Sequence, residues 1–434
     1  MFYDTIVLGR RSPPTHDKRN RMFRVQLHGI ALAASALTIL ATAGCAPAQS
    51  NTAPSGPLTL KIGTALPQTG NLAFLGPGMQ SGVGLAVEDI NAADKGITID
   101  LTWGDSGDTD NKAYETEIPR LLDAGVSAII GAASSGTSLQ FIDQVTGAGV
   151  IQFSPANTSA TFSTYNDNGL YFRTAPSDVL QGDVLGNLIA SDGNQSLGLI
   201  VQNDSYGTGL ASSVKDAFIA AGGQVVAEAL YNVGDTNFDA QVSEVTSANP
   251  DAIVLITFEE AKTILPDLIG GGFPADQLYY TDGNLAKYDK DFAPGFLKGG
   301  RGTLPGLDLA TLSEFTTRMN DSWIAAGNAD LAGVFAYGPE AYDAVVMLAL
   351  GALQSGSTEG VAIAGELVAI SGGVDGATKC TSFAECADLI ADGVAIDYDG
   401  VSGPITFDEV GDPTEASIGI YEFDETNVPL PTND

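Results

Sequence analysis

From residue 58 onward the chain repeats one order of segments: an apolar strand, a glycine-rich loop and an amphipathic helix. A first set of strands is predicted at 58–66, 97–103, 126–130 and 150–153, and a second at 197–201, 225–231, 252–257 and 278–281. Strands that alternate with helices form a parallel sheet, since each helix carries the chain back to the start of the next strand. The two sets therefore predict an α/β protein with two similar lobes, each a mostly parallel sheet flanked by helices.

Three crossovers are expected to join the lobes, at 174–176, 299–306 and 401–404, where glycine and proline interrupt the alternation. A long helix predicted at 339–350 returns the chain to the first lobe. The predicted domains are therefore a first lobe and a second lobe, each built from two stretches of chain. These stretches are 58–175 plus about 305–403 for the first lobe, and 176–304 plus about 404–434 for the second.

The first 44 residues have the organisation of an export signal. Six Lys or Arg residues between positions 10 and 24 precede an apolar stretch at 29–44. That stretch is short for a membrane span of about 20 residues, so we expect residues 1–44 to be cleaved as a signal peptide. Met22 is an alternative start, because the signal is complete from there.

Thr42-Ala43-Gly44-Cys45 resembles a bacterial lipobox, in which the cysteine is lipidated and becomes the new N-terminus. Residues 46–57 form a polar tether with no core-forming residue. The resemblance implies that lipid on Cys45 holds the protein at the cell membrane, on the extracytoplasmic face. The alternative is a plain secretory signal in which the cysteine is coincidental.

Composition excludes several classes of function. The chain has 53 acidic and 19 basic residues, a net charge of -34, so nucleic acid is excluded as a partner. Both histidines, His16 and His28, precede Cys45, so the mature body has no histidine base, triad or metal ligand. No Gly-Lys-Ser/Thr is present, so there is no P-loop. Carboxylate-only mechanisms stay open, but we expect no enzyme, no cofactor and no metal.

Cys380 and Cys386 are the two cysteines of the mature body. In an exported protein two nearby thiols normally oxidise, whereas a metal site would need further ligands close by. We therefore expect a disulfide between them, which closes a small loop and acts locally.

Five loops follow predicted strands and carry polar, acidic or aromatic residues. They are 133–136, 154–158, 203–207, 258–259 and 282–283. Open α/β sheets bind ligands just beyond the carboxyl ends of their strands. A single loop of this kind is most simply a turn or a helix cap, but five facing one cleft predict a binding site for a small molecule.

Four stretches resemble the branched-chain amino-acid-binding proteins of bacterial ABC importers, which are type I periplasmic binding proteins. They are 66–70 together with 88–91, the uninterrupted spacing from 130 to 158, Asn-Asp-Ser-Tyr-Gly-Thr-Gly at 203–209, and 401–408. The resemblance covers about residues 58–425. It implies a two-lobed fold that closes on a ligand.

The resemblance also assigns ligand-binding residues position by position. The carboxylate-binding serine falls at Ser135, the alanine carbonyl and threonine hydroxyl at Ala156 and Thr158, the closing tyrosine at Tyr206, and the ammonium-binding acid at Asp282. These groups suit a zwitterion, because its carboxylate needs donors and its ammonium needs an acceptor or a negative charge.

Two departures concern the pocket for the ligand's side chain. Phe258 stands where the family often has tyrosine, and an aromatic position of the first loop aligns with either Phe74 or Leu75. Asp282 is also shorter than the glutamate that the family often has there. The resemblance therefore implies an amino-acid head group and leaves the side-chain preference open.

The implied function is a lipid-anchored receptor that captures an amino acid, branched-chain or similar, and delivers it to an ABC permease and its ATPase. We expect a monomer. Two alternatives use the same fold: a receptor for an amide, urea or another small carboxylate, and a sensor that passes ligand occupancy to a signalling partner.

Overall fold

The computed structural model describes residues 56–432. The expected export signal, the lipidated Cys45 and nearly all of the tether fall before residue 56, outside the described residues. Within residues 56–432, no helix combines the length and the apolar character that crossing a membrane requires.

Strands and helices alternate along most of the described chain. The strands are β1 Leu58–Ala65, β2 Ile97–Thr102, β3 Ala128–Gly131, β4 Ile151–Ser154, β5 Tyr171–Arg173, β6 Ser196–Gln202, β7 Gln224–Tyr231, β8 Ala252–Ile256, β9 Leu278–Tyr280, β10 Arg301–Pro305, β11 Thr378–Cys380, β12 Ile396–Gly400, β13 Gly403–Pro404, β14 Ile418–Phe423 and β15 Pro429–Pro431. The helices are α1 Gly76–Ala93, α2 Tyr114–Asp123, α3 Ser135–Gly147, α4 Asp178–Ser191, α5 Ser205–Ala220, α6 Asp239–Ser247, α7 Ala261–Gly270, α8 Ser313–Ala325, α9 Gly338–Ser355, α10 Gly360–Ile370 and α11 Phe383–Ala391.

Two large sheets confirm the predicted fold class. The first has the order β2-β1-β3-β4-β5 and is parallel throughout. The second has the order β15-β14-β10-β9-β8-β6-β7, parallel from β10 to β7 and antiparallel at the β14 and β15 edge. Helices cover the faces, which explains why β3, β4 and β8 are buried along their whole length.

One predicted crossover needs correction. Residues 299–306 were expected to pass between the lobes, but Arg301–Pro305 forms β10, which pairs with β9 and β14 in the second sheet. The connection therefore begins at Gly306. The strand was missed because its sequence, Arg-Gly-Thr-Leu-Pro, contains the two residues that normally mark loops.

Helix α9 is almost completely buried and packs against α1. The two helices come very close, since a Cβ on Gly82 would lie 2.1 Å from the carbonyl oxygen of Gly338. Only glycine permits this approach. The packing fixes the start of α9, and with it the residue that precedes the helix, Tyr337.

The predicted disulfide is present. It joins Cys380, the last residue of β11, to Cys386 in α11, and both residues are buried. The bond therefore connects a strand of the small sheet β11-β12-β13 to the helix that follows it. The sequence did not predict this third sheet.

A buried ion pair ties β5 to a late segment of the chain. Arg173 is 0 % exposed and donates to both carboxylate oxygens of Asp412, at 2.6 Å and 2.7 Å. It also donates to the carbonyl oxygens of Asn157 and Ser159, at 3.3 Å and 2.8 Å. These hydrogen bonds fix the position of the loop that follows β4.

Candidate ligand-binding site

The loops at the carboxyl ends of β3 and β4 form one wall of the site and are cross-linked by hydrogen bonds. The hydroxyl of Ser154 donates to the carbonyl oxygen of Ala132 (2.7 Å) and accepts from the backbone N–H of Ala156 (3.2 Å). The amide of Asn157 donates to the carbonyl oxygens of Ala132 and Ala133, at 3.1 Å and 2.9 Å. Because Ser154 and Asn157 are completely buried, the protein's own groups fix this wall.

Helix α3 begins within this wall. Ser134 is its N-cap and accepts from the backbone N–H of Thr137 (3.3 Å). The hydroxyl of Ser135 accepts from the backbone N–H of Ser159 (3.2 Å), and Thr158 lies beside them, 1 % exposed. A helix N-terminus with neighbouring hydroxyls favours an anion, because first-turn N–H groups carry partial positive charge.

A buried carboxylate stands on the opposite wall. Asp282 lies two residues beyond β9, and its Oδ1 accepts from the Tyr206 hydroxyl (2.8 Å) and the Gln181 amide (3.1 Å). Its Oδ2 accepts from the Tyr337 hydroxyl (2.7 Å). Burial raises the pKa of Asp282, and the three donors oppose this rise by favouring the charged form. The carboxylate is thus held in one orientation by partners from three separate elements.

Burial and then the charge of Asp282 raise the pKa of Tyr206 and of Tyr337 well above the ordinary tyrosine value. Both hydroxyls therefore remain protonated and can only donate to this carboxylate. Tyr206 in addition stacks on Phe258, with ring centroids 5.2 Å apart. The aromatic pair forms an apolar face next to the acid.

These groups meet in one cavity. Its lining consists of Leu72, Leu75, Ala133, Ser134, Ser135, Ala156, Thr158, Tyr206, Phe258, Asp282, Gly283 and Tyr337. Hydroxyls and a helix N-terminus from the loops of the first sheet line this cavity together with a carboxylate from a loop of the second sheet, and these are the groups that a small zwitterion requires. In residues 56–432 no group of three or more His, Cys, Asp or Glu side chains is placed to hold a metal ion.

The structure brings together all six residues that the sequence assigned to ligand binding: Ser135, Ala156, Thr158, Tyr206, Phe258 and Asp282. Of the two candidates in the first loop, Leu75 lines the cavity, whereas Phe74 lines a neighbouring apolar cavity. The side chains of consecutive residues diverge, so only one of the two can face the site. The binding roles of these residues stay predictions.

Sequence reasoning missed three residues of the site. Tyr337 precedes α9 in the left-handed conformation, with φ 59°, and the Gly-Pro that follows marks a helix start that could have directed attention to it. Leu72 lies in the loop after β1 and carries no polar signal. Gln181 lies inside α4, where nothing in the sequence distinguishes it from a solvent-facing glutamine.

Asp178 is a second buried carboxylate beside the site. It is 0 % exposed at the start of α4, and its N–H donates to the carbonyl oxygen of Thr158 (2.6 Å). In the described part of the chain neither carboxylate oxygen has a partner at full hydrogen-bond geometry, although the Thr158 side chain lies near enough to favour the charged form. Burial and then the charge of Asp282 raise its pKa well above the usual value. An unpartnered buried carboxylate is costly and requires an explanation.

Hydrogen bonds also cross between the loops of the two sheets. The Asn71 amide, in the loop after β1, donates to Glu260 just before α7 (2.8 Å). The Ser159 hydroxyl donates to the carbonyl oxygen of Ser205 at the start of α5 (2.9 Å). These contacts hold the loops together around the cavity.

Comparisons with known proteins agree with this architecture. A family model described as periplasmic binding protein matches residues 59–424. The leucine-, isoleucine-, valine-, threonine- and alanine-binding protein of Pseudomonas aeruginosa is 29% identical over 44% of this chain and 51% of its own length. The chemotactic signal transduction system substrate-binding protein BasB of Halobacterium salinarum is 23% identical over 79% of this chain and 82% of its own. A Leu/Ile/Val-binding protein homologue of Brucella abortus is 29% identical over 47% of this chain and 53% of its own length. The chain thus spans about half the length of the Pseudomonas and Brucella relatives.

Solved structures show the same fold. The leucine-binding protein LivK of Thermotoga maritima superposes with a TM-score of 0.69 at 21% identity, over 86% of this chain and 97% of the other. LivJ of Streptococcus pneumoniae, in complex with isoleucine, superposes with a TM-score of 0.66 at 21% identity, over 86% of this chain and 100% of the other. A solute-binding protein of Rhodopseudomonas palustris in complex with benzoate superposes with a TM-score of 0.64 at 18% identity, over 86% of this chain and 95% of the other. At these identities the likeness concerns the fold alone.

Proposed function

The chain belongs to the periplasmic binding protein family, and we propose that it is an extracytoplasmic receptor that captures an amino acid between two lobes. The observation that carries this proposal is the single cavity in which the hydroxyls of Ser135 and Thr158 lie together with the carboxylate of Asp282. The lobes are proposed as 58–175 plus about 305–403, and 176–304 plus about 404–434.

The head group of the ligand would bind by charge. Its carboxylate is expected at the N-terminus of α3, with the Ser135 and Thr158 hydroxyls as donors. Its ammonium is expected between the carbonyl oxygen of Ala156 and the carboxylate of Asp282, which is already oriented by three donors. Tyr206 would close over it from the second lobe.

Asp178 supports a cationic group at this place. Burial and then the charge of Asp282 raise the pKa of Asp178, and a bound ammonium would oppose this rise by stabilising the charged carboxylate. A neutral amide or urea would not stabilise a charged carboxylate in this way. The presence of Asp178 close to Asp282 therefore supports an amino acid over an amide or urea.

Closure of the lobes would follow from the placement of these groups. A ligand that contacts both walls binds the closed state better than the open state and shifts the population toward it. The connections near 174–176, 306 and 402–404 are the expected hinges. The Asn71–Glu260 bond would form only in the closed state.

Lipid on Cys45 is proposed to hold the receptor at the membrane, where it would act as a monomer that delivers its ligand to an ABC permease and the associated ATPase. The lipobox-like sequence and the polar tether support this part of the proposal.

A second candidate is a sensor that reports ligand occupancy to a signalling partner. The relation to BasB, a substrate-binding protein of a chemotactic system that matches over 79% of this chain, favours it. Adjacent permease and ATPase genes would support import, whereas an adjacent transducer gene without a permease would support sensing.

The amino-acid proposal is tested by a thermal-shift screen of the twenty amino acids, urea and short amides, followed by calorimetry with the best ligand. Asp282→Asn removes the charge at nearly constant shape and should weaken binding by two orders of magnitude or more, because it leaves a buried ammonium unpaired. Asp276→Asn, at an exposed position of the same lobe, is the control and should bind like the parent. Undiminished binding by Asp282→Asn, or tighter binding of a ligand without an amine, would contradict the proposal.

A further inference from the structure

The two tryptophans of the chain, Trp103 and Trp323, line one groove although they are far apart in the sequence. Trp103 follows β2 and is 41 % exposed, and Trp323 lies near the end of α8 and is half-buried. Within residues 56–432 neither indole ring stacks on another aromatic ring. We call this feature the tryptophan groove. It is open to solvent, has a volume of about 680 Å³, and shares no lining residue with the candidate ligand-binding site.

Helix α1 forms the floor of the tryptophan groove. Gln80, Gly84 and Glu88 line it, and their spacing of four residues places them on one face of the helix. A Cβ on Gly84 would meet no atom within 4 Å, so no neighbouring element of the protein fills the space above this glycine. The absence of a side chain leaves the helix backbone accessible in the middle of the groove.

Polar groups without protein partners surround the two rings. In the described part of the chain the side-chain amides of Gln68 and Gln80 make no hydrogen bond with the protein, and neither does either indole N–H. The carboxylate of Glu88 accepts from the Ser322 hydroxyl through Oε2 (2.8 Å). Glu88 is the one charged side chain among the described residues that line the groove. The groove therefore combines aromatic faces with several available donors and acceptors and a single negative charge.

This combination matches the chemistry of a sugar. The C–H face of a pyranose ring packs on an aromatic ring, while its hydroxyls can bond to amides, to indole N–H groups and to a carboxylate. A quaternary ammonium would use the rings and Glu88 but would leave the amides of Gln68 and Gln80 without a role. An acidic sugar would meet the like charge of Glu88 with no basic residue of the lining to offset it.

We propose that the tryptophan groove is a second binding site of this protein and that it takes a neutral oligosaccharide. The inference is independent of the amino-acid proposal, because the two sites have no residue in common.

The fluorescence of the protein reports on this groove alone, because the chain has no other tryptophan. The mature full-length protein in detergent is titrated with three neutral trisaccharides, maltotriose, cellotriose and tri-N-acetylchitotriose, at an excitation wavelength that spares tyrosine. At least one of them should shift the emission and saturate at millimolar concentration. The acidic trisaccharide trigalacturonate should bind at least about tenfold more weakly than the best neutral one, because of Glu88.

A variant that fills the floor locates the binding. Gly84→Leu places a side chain in the groove and should weaken binding of the trisaccharide at least about tenfold. Leucine is the better helix former, so the unfolding temperature should not fall, which separates lost binding from lost folding. Gly365→Leu is the control, because Gly365 lies exposed inside α10 and a Cβ there also meets no atom within 4 Å. This variant should bind like the parent.

Three results would overturn the inference. If no neutral trisaccharide changes the tryptophan emission, the groove is not a sugar site. If one binds and Gly84→Leu binds it as tightly as the parent, the sugar lies elsewhere. If choline changes the emission and the trisaccharides do not, the groove is a cation site. None of these results affects the amino-acid proposal, which is measured by calorimetry with a different ligand.

Discussion

Replacing Glu340 with glutamine should stabilise the protein at neutral and alkaline pH. Glu340 lies in the first turn of α9, 6 % exposed, and its Oε2 makes no hydrogen bond within residues 56–432. It faces a small cavity that is lined among others by Thr174, Gly306 and Ser402. Gly306 approaches so closely that a Cβ there would lie 2.6 Å from Oε1, which leaves little room for rearrangement.

The size of the effect follows from the pKa. Burial, as the largest cause, raises the pKa of Glu340 from 4.5 to about 8, and the charge of Asp343 adds to the rise. The unfolded chain therefore loses this proton near pH 4.5 and the folded protein near pH 8, so stability falls by about 1.4 kcal/mol per pH unit between them. The accumulated loss is about 3 kcal/mol at pH 7 and about 5 kcal/mol at pH 8 and above. Below pH 4.5 the carboxyl is protonated in both states and contributes no difference.

Glutamine has nearly the same shape and does not ionise. Glu340→Gln should thus unfold about 4 °C higher than the parent at pH 7, given about 2.1 cal/mol/K per residue of unfolding entropy, and at the same temperature at pH 4. Calorimetric unfolding of both proteins between pH 4 and pH 9 measures this.

Asp343, three residues further along α9, is the matched control. Burial raises its pKa to about 6, yet it accepts four hydrogen bonds, from the Tyr398 hydroxyl, the Val401 N–H, and the N–H and hydroxyl of Ser402. Asp343→Asn should destabilise the protein by at least about 2 kcal/mol, because an amide cannot accept from all four. If Glu340→Gln is no more stable than the parent at pH 8, the carboxylate is charged in the folded protein and the reasoning is wrong.

Three further changes test other parts of the structure. Asp412→Ala leaves the Arg173 guanidinium buried without its partner and should lower the free energy of unfolding, measured in urea, by about 3–5 kcal/mol. A loss below about 1 kcal/mol would mean that water or the neighbouring carbonyl oxygens are enough to stabilise the buried guanidinium. Asn71→Ala removes the hydrogen bond to Glu260 and should raise the ligand dissociation rate, measured by surface plasmon resonance, about fivefold with little effect on unfolding. An unchanged dissociation rate would show that this hydrogen bond does not stabilise the closed state. Cys45→Ser should release the protein to the medium, and a variant that stays acylated and membrane-bound would refute the lipobox interpretation.

The elements that sequence predicted well are those with regular hydrophobic patterns. Strands such as β3 and β8 could be predicted because a parallel sheet buries both of its faces, which makes their sequences continuously apolar. The alternation of these strands with helices then predicts the topology. The six assigned site residues meet because they follow strands of the two large sheets whose carboxyl ends both adjoin the cavity. The sequence could thus identify most of the polar groups of the cavity.

The elements that sequence missed depend on contacts distant along the chain. Gln181 is recognisable only once α4 lies against the segment that holds Asp282, 101 positions away. Strands β11 and β13 have three and two residues, too few for a period to appear. Tyr337 adopts a left-handed conformation that its residue type disfavours, and the burial of α9 maintains it.

The cross-linked loops after β3 and β4 have a consequence for the kinetics of binding. Hydrogen bonds from Ser154, Asn157 and Arg173 already fix the position of that wall, so the part of the cavity that is proposed to bind the ligand's carboxylate should need no ordering when a ligand arrives. An encounter should therefore begin there, at a rate set by diffusion and by the charge of the ligand rather than by rearrangement. Ligands that share a head group would then associate at similar rates and differ mainly in residence time, which the opposite wall and the interlobe bonds determine.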